Sequence, residues 1–351
     1  MTTSRIRIPA KRLRSATDTA PRVARYLALE GRKLERLLRA GRPGAVAGSV
    51  AELLTGRNPY YEYRLEDGRY QLVETNGHEL VVDTDDAGIS RTLLAYGVHE
   101  YCSTAAFERE LERLTEVVEG PVRVLEVGAN IGYFCTIEAG ILGDRARIHA
   151  VEPIPSNVEL LEHNVERNGY ADLVDIERLA IGDATAPVEM ELSTHSNQHR
   201  VLDSSGSGAT GRSSSDDGDA RETLAVEQTT GSQYLADRDI DPASVNVVRF
   251  DVEGYECEVL EGLTDVLAAP GPTVVYVELH PLELSAAAKM ELVDRFADND
   301  FEVVSAVRTD AAAGVDDERR WHGLECDVDD FDDLRRAMVE SDHSIELIAR
   351  K

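Results

Sequence analysis

Two short segments put proton-transfer groups where buried strands would end. Asp251 and Glu253 follow the run NVVRF, and Glu278 and His280 follow VVYV. Residues two apart in a strand share a side, so each pair can converge on one point, although Gly254 threatens strand geometry after the first pair. Carboxylates and an imidazole placed there could take the proton from a hydroxyl, which is worth about 10²–10⁴-fold in rate. The plainer role for Asp251 or Glu253 is to cap the helix that starts near Tyr255. Such a set could also hold Mg²⁺ or Zn²⁺, but its spacing along the chain matches no metal signature, and no metal is expected.

A third segment, VRVLEVGANIGYF at 122–134, runs from apolar residues through Glu126 into glycines. Val122, Val124, Leu125 and Val127 suit a buried parallel strand, and Gly128 and Gly132 let the chain bend closely around a ligand. Ligands of open α/β sheets bind beyond the carboxyl ends of the strands, where helix N–H groups are also free. A second run, 147–151, ends in Glu152 about 25 residues on, where a carboxylate can accept both hydroxyls of a ribose. The dinucleotide fingerprint G-x-G-x-x-G would need glycines where this chain has Asn130 and Tyr133. An acidic loop suits a cofactor without phosphates better. S-adenosyl-L-methionine, with its sulfonium, amino-acid tail and free ribose hydroxyls, is such a cofactor.

The elements that must hold these residues alternate between strand and helix. A helix is expected over 155–168, opened by Pro155, Ser156 and Asn157 and stopped by Asn168-Gly169. Strands are expected at 174–181, 245–250 and 273–279, with a helix from about Cys257 to Leu267, which together read as βα repeats. The runs 301–307 and 344–350 look like two further strands with no long helix between them, one an antiparallel edge strand. Tyr60 to Val82 alternates like small β-hairpins, with Asp67-Gly68 and Asn76-Gly77 as turns.

Taken together, GISRTLLAYGVHEY, LEVGANIGYF, AVEPIPSNVELLEHNVERNG, LAIGD, VRFDVEGYECEVLEG, VYVELHP and a last strand ending in ARK resemble the FkbM-type S-adenosylmethionine-dependent methyltransferases over roughly residues 88–351. The resemblance implies a Rossmann-like α/β fold: a seven-stranded sheet with its last strand antiparallel and helices on both faces. It implies O-methylation of a hydroxyl on a sugar, lipid or small metabolite, without fixing the acceptor. Carried over by position, Glu126, Gly128, Asn130 and Gly132 would surround the methionine part, Glu152 the ribose and Asp183 the adenine edge. The alternatives are methylation of a nitrogen or a macromolecule, and a cofactor-binding partner protein that has lost catalysis.

Composition bears on the setting. Asp and Glu number 66 against 37 Lys and Arg, for a formal charge of −29, and only Lys11, Lys33, Lys289 and Lys351 are lysines. Dense carboxylates keep a protein hydrated in concentrated salt, which also screens their repulsion, so a salt-adapted cytoplasm is expected. Nucleic acid is not an expected partner of so acidic a body. Residues 1–43 form a separate basic arm, whose first 42 residues hold 12 Lys and Arg against three acids. Val23, Leu27, Leu34 and Leu38 give it one apolar face that suits an anionic membrane surface or, better, the acidic domain or a second subunit. No signal peptide and no spanning run is visible. A small segment follows at 44–87, then the catalytic domain at 88–351. Residues 203–222 are polar low-complexity sequence expected as a flexible loop. His195 and His199 before it could help hold an acceptor. Cys102, Cys135, Cys257 and Cys326 show no paired spacing and read as reduced thiols. Oligomeric state is not legible.

Overall fold

The computed structural model describes residues 31–351 apart from 203–221, 309–323 and positions 32, 33, 36, 40, 56, 65–67, 87, 194, 196–198, 326, 327, 342 and 343. Most of the expected arm, nearly all of the expected 203–222 loop, Asp67 and Cys326 therefore lie outside the described residues.

Helices α1 (Pro43–Thr55) and α2 (Pro59–Arg64) lead into a hairpin of β1 (Tyr70–Thr75) and β2 (His78–Asp83). Its turn residues Asn76 and Gly77 both take positive φ, +48° and +83°, the geometry a two-residue hairpin needs. The alternation read from Tyr60 onward thus begins too early: Pro59 opens a helix there, as its fixed φ favours. Helices α3 (Ile89–Tyr96) and α4 (Tyr101–Val117) follow.

The main sheet then begins with β3 (Val122–Val127), α5 (Tyr133–Leu142), β4 (Ala146–Val151), α6 (Pro155–Arg167) and β5 (Val174–Glu177). The strand expected to 181 breaks after Glu177. Its remainder, β6 (Ala180–Gly182), leaves the main sheet, and the antiparallel strands β7 (Val188–Glu191), β8 (Arg200–Val201) and β9 (Thr223–Val226) form a small side sheet. Strand β10 (Gln228–Thr230) pairs in parallel with β6. Helix α7 (Gly231–Ala236) and strand β11 (Val245–Phe250) follow. The helix expected over 257–267 is two pieces, α8 (Glu256–Gly262) and α9 (Thr264–Ala268). Gly262 abuts the Gly182 carbonyl there, a packing that leaves no room for a side chain.

Strand β12 (Val274–Leu279), α10 (Ala286–Ala297), β13 (Glu302–Arg308), β14 (Leu324–Glu325), α11 (Phe331–Glu340) and β15 (Ile345–Arg350) complete the chain. The sheet order is β14-β13-β15-β12-β11-β3-β4-β5. Apart from the two-residue β14, this is the seven-stranded methyltransferase sheet, with β15 antiparallel to both neighbours. Two expectations need correction. Helix α11 stands between the last two long strands, capped by Asp330, whose side chain accepts the Asp333 N–H at 2.8 Å. Its apolar face, Leu334, Ala337 and Met338, is diluted in sequence by acids and arginines. And β15 is not an edge strand: it is wedged between β12 and β13, which is why Ile345–Ala349 are all buried.

Strand alternation feeds two cores. Val122, Val124 and Tyr276 pack on one face with Phe107, Phe134 and Leu161, and the hairpin adds Leu80 and Val82 to the same cluster. Leu125, Val127, Val248 and Val277 pack on the other with Leu260, Phe296 and Leu334. This two-sided burial brings the carboxyl ends of β3, β4, β11 and β12 to one rim.

Candidate active site

At that rim the Gly128 turn makes the first wall. Gly128 has φ +77°, and a Cβ there would lie 2.6 Å from the Asp251 carbonyl oxygen, so only glycine lets the ends of β3 and β11 approach. Gly128 and Ala129 donate to the Val151 carbonyl at 2.8 and 3.1 Å, which ties in β4. Asn130, at φ +50°, turns the chain again and accepts the Ile131 N–H on its own side chain at 2.8 Å. Glu152 Oε2 accepts the Asn130 N–H at 2.9 Å, while Oε1 accepts Ile154 N–H at 3.0 Å and Asn157 Nδ2 at 3.3 Å. Burial raises the Glu152 carboxyl to about 7 against those hydrogen bonds.

Gly128, Asn130, Glu152, Arg249, Asp251 and Glu253 all face one cleft, whose far wall includes Met190, His199 and Val201 from the side sheet. His199 accepts the Ser193 N–H on Nδ1 at 2.9 Å, and His195 does not line the cleft. The remaining expected residues stand elsewhere. Gly132, at φ +86°, begins α5 against Leu161, where a Cβ would lie 2.6 Å from its Cδ1. Asp183 is exposed at the rim, hydrogen-bonded to the Tyr255 phenol, and Tyr255 lines the cleft. Glu126 lies beneath the floor, fully buried, with Oε1 accepting Arg249 Nη1 at 2.7 Å. It meets the cleft through Arg249, whose guanidinium carbon sits 3.6 Å from the Phe134 ring centre.

The four expected catalytic groups come together. Strand geometry is already lost at Glu253, at φ +51°, yet its carboxylate still meets Asp251 and His280 within 4.8 Å. His280 Nδ1 is 2.6 Å from Glu256 Oε1, and its Nε2 is 3.4 Å from Glu253 Oε2 and 3.7 Å from Glu278 Oε1. Asp251 Oδ2 is 4.0 Å from Arg249 Nη2, and Oδ1 has no hydrogen-bond partner among the described residues. Burial, then the charges of Glu278 and Glu253, push the Asp251 carboxyl well above the usual aspartate range. Burial also lifts Glu253 to about 7, against the pull of His280.

His99, Glu100, Arg249 and Glu256 belong to this site and were not singled out from sequence. Glu100 heads α4 at φ +47°, 2.9 Å from His99 Nε2, and accepts the Tyr276 hydroxyl at 2.5 Å. Burial opposes its ionisation, but His99, Arg249 and that hydroxyl hold it down to about 2. Arg249 could have been found: a lone arginine in a buried strand needs an acidic partner, and Glu126 stands one strand away.

A family model described as the methyltransferase FkbM domain matches residues 126–338, more than half of the chain. The chain belongs to this family. Curated proteins give shorter matches: the protein-L-isoaspartate O-methyltransferase of Methanococcoides burtonii is 35% identical over 60 residues, 17% of this chain and 29% of the relative. That of Aeropyrum pernix is 33% identical over 79 residues, 22% and 28% of the two. The chain thus spans under a third of the length of these relatives. Among solved structures, the FkbM methyltransferase from Methylobacillus flagellatus aligns at 13% identity over 74% of this chain and 54% of that one, TM-score 0.37. The SAM-dependent methyltransferase from Agrobacterium tumefaciens aligns at 9% over 81% and 70%, TM-score 0.40.

FkbM membership implies S-adenosylmethionine, and the residues at the cleft fit it. Glu152 faces the cleft, and its Oε2, which takes one N–H from Asn130, keeps an acceptor site for a ribose hydroxyl. The glycine turn keeps side chains out of the approach to the backbone. The orphaned Asp251 oxygen and the acidic floor suit a cation and would repel a phosphate. Among the described residues no helix is long and apolar enough to cross a membrane.

Proposed function

We propose that this protein methylates a hydroxyl group of a small molecule, glycan or lipid, with Asp251 as the base. The observation that carries the reading is the Asp251 carboxylate itself: it stands at the tip of β11, lines the cleft beside the glycine turn, and keeps one oxygen without a partner among the described residues. S-adenosylmethionine, when bound, supplies an electrophilic methyl group that an oxygen can take by in-line displacement.

The chain's own residues do the rest. Gly128, Asn130 and Glu152 hold the methionine and ribose ends, Gly132 shapes their turn, and Glu126 acts by fixing Arg249. Asp183 reaches the adenine edge together with Tyr255. Asp251 receives the hydroxyl proton, and its raised proton affinity makes it a stronger base once ionised. Glu253, Glu278 and His280 set the charge around it. His199 and the side sheet close the far wall and hold the acceptor near the reacting centre, where positioning supplies much of the rate. Among the described residues no disulfide joins Cys102, Cys135 or Cys257, which suits a reducing cytoplasm. The basic arm at 1–43 is expected to pack against the acidic domain or a second subunit, beside a small segment at 44–87 and the catalytic domain at 88–351.

The first test is calorimetric titration of S-adenosylhomocysteine in molar KCl into wild type and Glu152→Ala. Saturable binding that weakens in the variant supports the cofactor; no binding to folded wild type sinks the reading. Turnover with labelled cofactor and a panel of hydroxylated acceptors follows. If Asp251→Asn keeps most of its turnover, the acceptor is a nitrogen, since an amine needs less help from a base.

A further inference from the structure

Beside the cofactor residues lies a constellation that proton transfer alone does not use up. Asp251, Glu253 and His280 bring one ligand-type atom each within 4.8 Å of one another, and Glu100, Asp251 and Glu278 form a second such set sharing Asp251. Their spacing along the chain signals nothing, because D-x-E and E-x-H sit on different strands and meet only in the folded sheet.

Three observations point to a ligand between them. Asp251 is nine-tenths buried, its side chain 10% exposed, yet its Oδ1 has no hydrogen-bond partner among the described residues. His280 is aimed: its Nδ1 is held 2.6 Å from Oε1 of the fully buried Glu256, an oxygen that also accepts the Gly254 N–H at 2.8 Å. This turns Nε2 toward Glu253 and Glu278, and metal-bound histidines are oriented in this way by a carboxylate on the other ring nitrogen. The spacing is the third. Nε2 lies 3.4 Å from Glu253 Oε2 and 3.7 Å from Glu278 Oε1, beyond the 2.7–3.2 Å of N–H···O hydrogen bonds. Two ligands bound at about 2.1 Å to one ion, at angles between square and tetrahedral, stand about 3.0–3.4 Å apart, a separation the Glu253 oxygen meets and the Glu278 oxygen exceeds.

We propose that Asp251, Glu253 and His280 bind one divalent transition-metal ion, Mn²⁺ or Zn²⁺, the remaining positions being left to water or substrate. Mixed carboxylate and imidazole donors favour these ions over Mg²⁺, which takes oxygen ligands and keeps its waters. The ion faces the cleft through Asp251 and Glu253. An acceptor hydroxyl bound to it becomes more acidic and is fixed in place, which deepens the role given to Asp251 above. Metal binding is read without turnover, so this site and the methyl-transfer reading can fail separately.

The test uses the full chain, stripped of metal, in molar KCl to suppress loose binding to surface carboxylates. Mn²⁺ is titrated with free ion followed by electron paramagnetic resonance, and Zn²⁺ by calorimetry, into wild type, Asp251→Asn and His280→Gln. S-adenosylhomocysteine binding reports folding of each. One saturable Mn²⁺ or Zn²⁺ per chain, weakened at least about tenfold in each variant that still binds S-adenosylhomocysteine, supports the site. Absence of saturable binding of either ion to wild type overturns it, as does binding of equal strength in the variants. Should both variants misfold, Glu256→Gln leaves all three ligands in place and removes the negative charge that orients His280, while its amide oxygen can still accept the Gly254 N–H. A loss of about 10–100-fold in affinity is expected there, and unchanged affinity overturns the proposal.

Discussion

The Glu152 carboxyl sets how cofactor binding depends on pH. Its proton affinity is raised from the ordinary 4.5 to about 7 by burial, and ribose hydroxyls donate more strongly to the ionised form. Binding therefore favours loss of the proton, and affinity for S-adenosylhomocysteine should tighten as pH rises through about 7, by up to about tenfold per unit below that point. Calorimetry in two buffers of different ionisation enthalpy would show the released proton, and Glu152→Gln should abolish both effects. Asp251 supplies the second prediction. Because it must be ionised to accept a proton, and its neighbours resist that ionisation, kcat of the metal-free protein should climb with pH to well above the usual aspartate range, whereas a bound divalent ion would keep the carboxyl ionised and flatten the climb. Asp251→Asn should lower kcat by about 10²–10⁴ with cofactor affinity little changed, which single-turnover kinetics can separate. At Gly128 the argument is steric. Gly128→Ala places a methyl 2.6 Å from the Asp251 carbonyl at a left-handed φ, so it should weaken S-adenosylhomocysteine and slow turnover together.

Between elements, the buried Arg249–Glu126 contact joins β11 to β3 under the site floor. Arg249→Met leaves the buried Glu126 and its carboxyl neighbour Glu138 without their cation and should cost about 3–5 kcal/mol in a denaturant titration. The double change Arg249→Met with Glu126→Leu should recover most of that loss, since two well-packed apolar side chains replace a pair that is expensive to desolvate. This pair also marks the limit of what the chain alone reveals. The strands and α6 were legible because apolar runs and Pro155 act locally, and the glycine turn was legible because Gly128 must accept positive φ. Helix α11 was hidden, as acids and arginines occupy its exposed face and only Leu334, Ala337 and Met338 mark the buried one. The wedged place of β15 and the tight seat of Gly262 were hidden for another reason: both depend on a neighbour distant in sequence, β13 in one case and Gly182 in the other. Likewise Glu126 reads as a cofactor contact in sequence, and only the side of β3 that Arg249 occupies shows that it works from below.

For the molecule as a whole the formal charge of −29 governs the response to salt. Repulsion among surface carboxylates acts over about 10 Å at 0.1 M salt and about 3 Å at 1 M, so the melting temperature should rise steadily with KCl across that range. Scanning calorimetry at fixed pH tests this, and a flat or falling Tm would remove the case for salt adaptation. The seating of β15 between β12 and β13 has its own consequence for how the fold is reached. While the chain is being made, those two strands can form but not join, and each keeps an open row of backbone donors and acceptors until residues 345–350 emerge. Closure is then a late, long-range event, slow in proportion to its contact order, and the vacant slot would accept a strand from a neighbouring nascent chain as readily as its own.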